Sequence, residues 1–206
     1  MIEAILSDLG NVLLRFDNIF FFRALARITG LPEEDVRRVA HDNLDLVTLF
    51  EKGAITPQEF HRNACDLLGA DPGFEAFYGA YCDVFALNKS VLELYRRLRP
   101  KHRMALVSST DVMRWTFIKR RFPEILFFDH YILSFDVEAA KPDPRVYREA
   151  LRLLGCRPEA AVFIDDLPEN VAGAEKMGIR GILYGSGTDL EAELSRMSVT
   201  VEPRPS

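Results

Sequence analysis

Asp8, Ser108, Lys141 and the adjacent pair Asp165-Asp166 each stand immediately or shortly after a short apolar run. Singly, each has a plain structural explanation. An aspartate or serine after a strand caps a helix, a lysine before a proline sits in solvent, and neighbouring acids decorate turns. Together, in this order, they suit phosphoryl transfer, in which a protein mainly positions groups and compensates charge. A carboxylate can attack phosphorus, dividing ester hydrolysis into formation and breakdown of an aspartyl-phosphate. Attack by Asp8 would bring anion against anion, so Lys141 and a divalent ion are needed as positive charge. Magnesium suits the place, because it prefers octahedral oxygen ligation and takes only one or two carboxylates from a protein. Asp8 and Asp166 are the natural pair. Ser108 would donate its hydroxyl to a phosphate oxygen beside the first N–H groups of the next helix, with Ser109 and Thr110 as assistants.

For these groups to meet, the elements before them must be parallel strands ending at one edge. Residues 4–6, 104–107, 131–133 and 161–164 are short and continuously apolar, as strands buried on both faces are, and 181–184 would make a fifth. Helical patterns lie between them at 91–98, 144–154 and 168–177, the last closed by Gly178. The alternation predicts a doubly wound, Rossmann-like α/β sheet whose ligands sit beyond the carboxyl ends of its strands. From 18 to 87 the strand-like runs vanish, and amphipathic helices are expected at 20–28, 32–40, 57–68 and 74–85, punctuated by Gly30, Gly53, Gly69, Pro32, Pro57 and Pro72. The expected division is an α/β core of residues 1–17 and 88–200, a helical cap of 18–87, and a flexible tail of 201–206 with fraying from Val199.

The 206 residues, 48% hydrophobic and 28% charged, are ordinary for a globular protein. A net charge of −5 leaves no footprint for nucleic acid, and no apolar run is long enough to span a bilayer. The expected partner is a small molecule and the expected location cytoplasmic, Glu3 standing where a secretory signal would be basic, for a monomer or homodimer. Cys65, Cys82 and Cys156 are expected as buried reduced thiols, and His41, His61, His102 and His130 form no ligand-like pair.

Four motifs carry a resemblance: Asp8-Leu9-Gly10-Asn11-Val12, Leu106-Val107-Ser108-Ser109, Lys141-Pro142-Asp143-Pro144, and Phe163-Ile164-Asp165-Asp166-Leu167-Pro168-Glu169-Asn170, followed by Gly173-Ala174 and Gly178-Ile179. The chain resembles the haloacid dehalogenase-like hydrolase superfamily over residues 3–184, in the subgroup with a helical cap after the first strand. Its first motif is similar to that of bacterial glucose-1-phosphate phosphatase-like members. The resemblance implies Asp8 as nucleophile, and magnesium on Asp8, the carbonyl of Gly10 and Asp166. It also implies phosphoryl binding by Ser108 and Lys141, with Ser109 and Asn11 near the substrate. Asp165 would orient Lys141 or a metal-bound water, and Asn170 would stand behind these groups.

Two positions depart from that pattern. Most phosphatases of the family carry a second aspartate two residues after the nucleophile, as acid and base; here it is Gly10, and Asp17 near the hinge or a bridging water is the candidate substitute. Ser109 stands where asparagine is common. The expected activity is a magnesium-dependent phosphatase of a small phosphorylated metabolite, with sugar phosphates in view. The alternatives are a 2-haloacid dehalogenase-type hydrolase, which the Asp165-Asp166 pair disfavours, and a catalytically weak phosphometabolite-binding protein. In the cap, Arg15 and Asp17, His41 and Asp42, and Glu51-Lys52-Gly53 are candidates to face the pocket, while Phe20 to Phe22, Phe74, Phe77 and Phe85 read as apolar helix faces.

Overall fold

A computed structural model describes residues 1–203. The chain runs through β1 (Ala4–Ser7) and β2 (Leu14–Phe16) into α1 (Asn18–Thr29), α2 (Glu33–Asp42), α3 (Leu44–Glu51), α4 (Pro57–Leu68) and α5 (Phe74–Cys82), then returns by β3 (Phe85–Leu87). Strand and helix alternate from there: α6 (Lys89–Leu98), β4 (Arg103–Ser108), α7 (Val112–Arg121), β5 (His130–Leu133), α8 (Ser134–Val137) and α9 (Pro144–Leu154). The last elements are β6 (Ala161–Asp165), α10 (Pro168–Lys176), β7 (Arg180–Leu183) and α11 (Leu190–Arg196).

Five strands pair in parallel in the order β5-β4-β1-β6-β7. Every residue of β1 and β6 is buried, as continuous apolar strands covered on both faces must be. Successive side chains point to opposite faces. Ile5, Leu106 and Ile164 join Tyr95, Trp115 and Leu194 on one side; Leu6, Val107 and Phe163 join Val146, Tyr147 and Ala174 on the other. The chain leaves β1 for β4 and β5, then crosses back for β6 and β7. That reversal opens a crevice at the carboxyl end of β1, where ligands of such sheets bind. Ser7 is level with Leu106 and Ile164, so Asp8 and Asp165 leave the sheet side by side. The predicted α/β architecture is the one observed.

Helices α1 to α5 build a second apolar cluster from Phe21, Phe50, Phe60, Phe77 and Tyr81. The Phe50 and Phe60 rings stack at 4.4 Å. Three expectations need correction here. The helix predicted over 74–85 stops at Cys82, and Phe85–Leu87 pairs antiparallel with Leu14–Phe16, so a two-stranded ribbon joins the way in to the way out. Helices α3, α8 and α11 are absent from the sequence reading; α7, expected only as the helix after Ser108, is started by Asp111, whose carboxylate accepts from the N–H groups of Met113 and Arg114, both at 2.9 Å. Val199 is buried, Val201 packs on the core, and the Glu202 carbonyl accepts from Arg97 Nε at 2.6 Å, which replaces the expected fraying. Residues 204–206 of the expected tail lie outside the described residues.

All three cysteines are free, but only Cys82 is fully buried. His61, Cys65 and Asp71 do meet, contrary to the scattered reading of the histidines: Cys65 Sγ lies 3.3 Å from His61 Nε2 and 3.6 Å from Asp71 Oδ1. Burial, with Asp71 beside it, pushes the Cys65 thiol up to about 11, so the sulfur is protonated and the trio is a hydrogen-bonded cluster. Among the described residues no helix is long and apolar enough to cross a membrane.

Candidate active site

Lys141 ties the strand ends together. Its ammonium donates to Asp8 Oδ1 at 2.5 Å and to Asp165 Oδ2 at 2.7 Å, with a side chain only 2% exposed. Two neighbours fix its approach. The Lys141 N–H donates to Ser109 Oγ at 3.1 Å, and Pro142 rests on Gly173 of α10, where a Cβ would come within 2.7 Å of the proline ring. Glycine is needed there for close approach. The second oxygen of Asp165 accepts from the Leu167 N–H at 2.9 Å and from Asn170 Nδ2 at 3.0 Å, while the Asn170 carbonyl accepts from the Tyr147 hydroxyl at 2.8 Å. Asp165 is therefore fully used in holding Lys141, and Asn170 in holding Asp165.

Asp8, Asp165 and Asp166 bring carboxylate oxygens within 4.8 Å of one another. Burial pushes Asp8 up to about 7; Lys141 pulls it down and Asp165 adds to the rise. Asp166 is raised as well, first by burial and then by Asp165, with Asn11 opposing. Three carboxylates thus lie around one ammonium, which bonds Asp8 and Asp165, and the charged forms of Asp8 and Asp166 are compensated too weakly to offset burial. An all-oxygen donor set with surplus negative charge fits a hard divalent cation.

A cavity of about 650 Å³ opens over these groups. Asp8, Gly10, Asn11, Ser108, Ser109 and Lys141 line it, as do Asp166 and Asn170. Asn11 is held on both sides: Nδ2 donates to Asp166 at 3.1 Å, and Oδ1 accepts from the Phe16 N–H at 3.3 Å. Its positive φ of 52° is one that asparagine tolerates. Gly10 lies against the Phe16 ring, and a Cβ there would come within 2.9 Å of Cε1. Phe16 occupies the space that a side chain at position 10 would need.

Asp17, expected to reach this cavity, does not line it; its carboxylate faces α1 and accepts from the Ile19 N–H at 2.8 Å as a helix cap. Arg15, His41 and Asp42 are exposed and do not line it either, whereas Glu51 and Lys52 do. Arg114, Thr48 and Phe16 also line the cavity and had not been singled out, and Phe85, read as part of an apolar helix face, lines it from β3. Arg114 lies over the Tyr81 ring at 4.1 Å and donates to Asn18 Oδ1 at 2.9 Å, while its Nε is buried without a hydrogen-bond partner among the described residues. Its position one turn beyond Asp111, on a helix opened by that cap, was the available signal.

A model of haloacid dehalogenase-like hydrolases matches residues 2–178. The chain is 24% identical over 202 residues to D-ribitol-5-phosphate phosphatase of Bacteroides thetaiotaomicron, covering 95% of this chain and 98% of that protein. It is 26% identical over 199 residues to a phosphorylated carbohydrates phosphatase of Thermotoga maritima, covering 89% and 84%. A crystal structure of a HAD family enzyme from B. thetaiotaomicron superposes with a TM-score of 0.84 at 26% identity, over 94% of this chain and 98% of that one. A complex of such an enzyme from that organism with magnesium and inorganic phosphate gives 0.83 at 24% identity, over 94% and 99%, a likeness of fold. With the family match spanning most of its length, this chain is an enzyme of the haloacid dehalogenase-like hydrolase family.

Proposed function

We propose that the protein is a cytoplasmic, magnesium-dependent phosphatase of a small phosphorylated metabolite, acting through an aspartyl-phosphate on Asp8. The observation that carries this reading is the shared ammonium of Lys141 between Asp8 and Asp165, beside an Asp166 that burial and Asp165 raise despite the Asn11 bond and the nearby Lys141. Asp8 is the nucleophile. Asp8, Asp166 and the Gly10 carbonyl would hold magnesium, which when bound supplies positive charge to the nucleophile and to the phosphoryl oxygens. Lys141 and the Ser108 hydroxyl bind the remaining phosphoryl oxygens, and Ser109 and Asn11 set the loops around them. Asp165 and Asn170 keep Lys141 in place.

Residues 18–87 act as the cap that excludes water from the transfer. Phosphorylated sugars and polyols are the substrates to try first, since D-ribitol 5-phosphate and phosphorylated carbohydrates are what the two curated relatives are named for. Dehalogenation is the weaker reading, because it leaves the surplus carboxylates without purpose. The test is phosphate release from a broad panel of phosphorylated metabolites. Release is expected with magnesium and lost with a chelator; no release from any compound would overturn the reading.

A further inference from the structure

Breaking the ester bond of an alkyl phosphate leaves an alkoxide that must gain a proton. The water that later attacks must lose one. We infer that Glu51, at the end of α3, supplies the first proton and accepts the second; this rests on the phosphatase reading above. Among the carboxyl groups that line the cavity the others are engaged or exposed. Asp8 is paired with Lys141, Asp166 is bonded by Asn11, and Asp143 caps α9 through the Arg145 N–H at 2.9 Å and pairs with its guanidinium. Glu169 is exposed on the first turn of α10. The Glu51 carboxylate alone is half-buried with no hydrogen bond or ion pair among the described residues.

The backbone under Glu51 is fastened to the core. Its carbonyl is 2.5 Å from Ser134 Oγ, which also accepts from the Thr110 N–H at 2.9 Å, and Thr110 itself lines the cavity. Arg114, whose Nε has no hydrogen-bond partner among the described residues, lines the same cavity, so a polar substrate group would meet both. Charged and titratable neighbours come from every packed element: Arg114 and Asp111 from the α7 side, Lys141 and Asp8 from the core, and Tyr81 from α5. Burial is the largest influence and pushes Glu51 up to about 7. Arg114 and Lys141 oppose it; Asp111 and Asp8 add to it. A carboxyl poised near neutrality can both give and take a proton.

The balance is complete. Asp8 Oδ bonds to phosphorus as the phosphorus–oxygen ester bond breaks with its electron pair, and the leaving oxygen takes the Glu51 proton to become an alcohol. Water then attacks phosphorus, its proton passes to the Glu51 carboxylate, and the Asp8–phosphorus bond breaks to release phosphate and a free carboxylate.

The experiment compares Glu51→Gln with the parent enzyme, in magnesium, on an alkyl phosphate and on p-nitrophenyl phosphate, whose phenolate departs unprotonated. The variant should lose about 10²–10⁴-fold in first-turnover ester cleavage of the alkyl phosphate, and less than about tenfold in the first turnover of p-nitrophenyl phosphate. The parent's kcat/KM on the alkyl phosphate should fall as pH rises through about 7, where Glu51 loses its proton, and the variant should lack that limb. Equal losses on the two substrates, or none, would overturn the inference and leave the phosphatase reading standing. With the alkyl phosphate taken from the compounds that the metabolite panel shows the parent to hydrolyse, a parent that hydrolyses none of the panel would remove both readings. If Glu51→Gln unfolds at the assay temperature, Glu51→Asp answers the same question by its ratio of losses on the two substrates, equal losses again overturning it.

Discussion

The two sides of the cavity are built on opposite plans. On the core side, polar groups are bonded to one another in series, Asp8 to Lys141 to Asp165 to Asn170 to Tyr147, and every link but Lys141, which stands in the turn before α9, is anchored on a strand end or the first turn of a helix. On the helical side, aromatic packing supplies the order, and the polar groups that face the cavity, Thr48, Glu51 and Lys52, come from the second half of α3 and its end. The core is preorganised for one charge distribution, whereas the helical side presents groups for something the core does not contain. Charge compensation belongs to the first; leaving-group chemistry and substrate shape belong to the second.

The sharpest way to break that division is Asp8→Asn. The change preserves shape and the bond from Lys141 but removes the attacking charge, so turnover should fall by about 10⁴-fold or more while the melting temperature changes little. Phosphate release measured beside a thermal melt separates the two. Residual turnover near the parent level would mean that the core side does not carry the nucleophile.

Lys141→Met tests preorganisation itself. It leaves two buried carboxylates without their counter-ion, and breaking such a pair typically costs about 3–5 kcal/mol. Burial already raises Asp8, and Lys141 opposes that rise, so in the variant, without Lys141, the folded-state pKa of Asp8 would stand further above its unfolded value and the folded form would bind more protons. Its stability should therefore rise as pH falls below neutrality, opposite to a protein that relies on salt-bridged carboxylates. Urea titrations at pH 5 and pH 8 read this directly, and a deficit that does not shrink at pH 5 would show that the ion pair is not its source.

The same contrast explains what was legible in the sequence. The meeting of Asp8, Ser108 and Asp165 was legible because buried parallel strands are continuous apolar runs, and each run ends in polar residues that must emerge at one sheet edge; Lys141 reaches them from the turn beyond α8. The helical side offers no such rule. Its contacts depend on how helices pack, so nothing in the pattern marked α3, and the apolar run through Phe85 extended a helix that stops at Cys82. Asp17 shows the same limit: close to Asp8 in sequence, it is carried away by β2 and spent on capping α1. Glu51, far away in sequence, is carried in.

Tyr81→Phe addresses the seam between the two sides. The Tyr81 hydroxyl donates to Asp111 Oδ2 at 2.9 Å, across from the helical cluster to the cap of α7. Removing it leaves a buried acceptor short of one bond, at about 1–3 kcal/mol. With the chemistry on the core side untouched, KM should rise more than kcat falls. An unchanged KM together with a large loss of kcat would instead place Tyr81 in the chemistry.

Asp17→Ala should have the smallest effect, and it separates nearness in sequence from nearness in space. As a helix cap, Asp17 contributes about 1 kcal/mol through its bond to the Ile19 N–H, so the variant should melt a few degrees lower. As the acid in place of a second aspartate, it would instead contribute at least a hundredfold in rate on alkyl phosphates. Because its carboxylate faces α1 and lies outside the cavity lining, kcat should stay within about twofold of the parent. A hundredfold loss with normal stability would return the proton to Asp17 and shift the acid from the far wall of the cavity to the hinge.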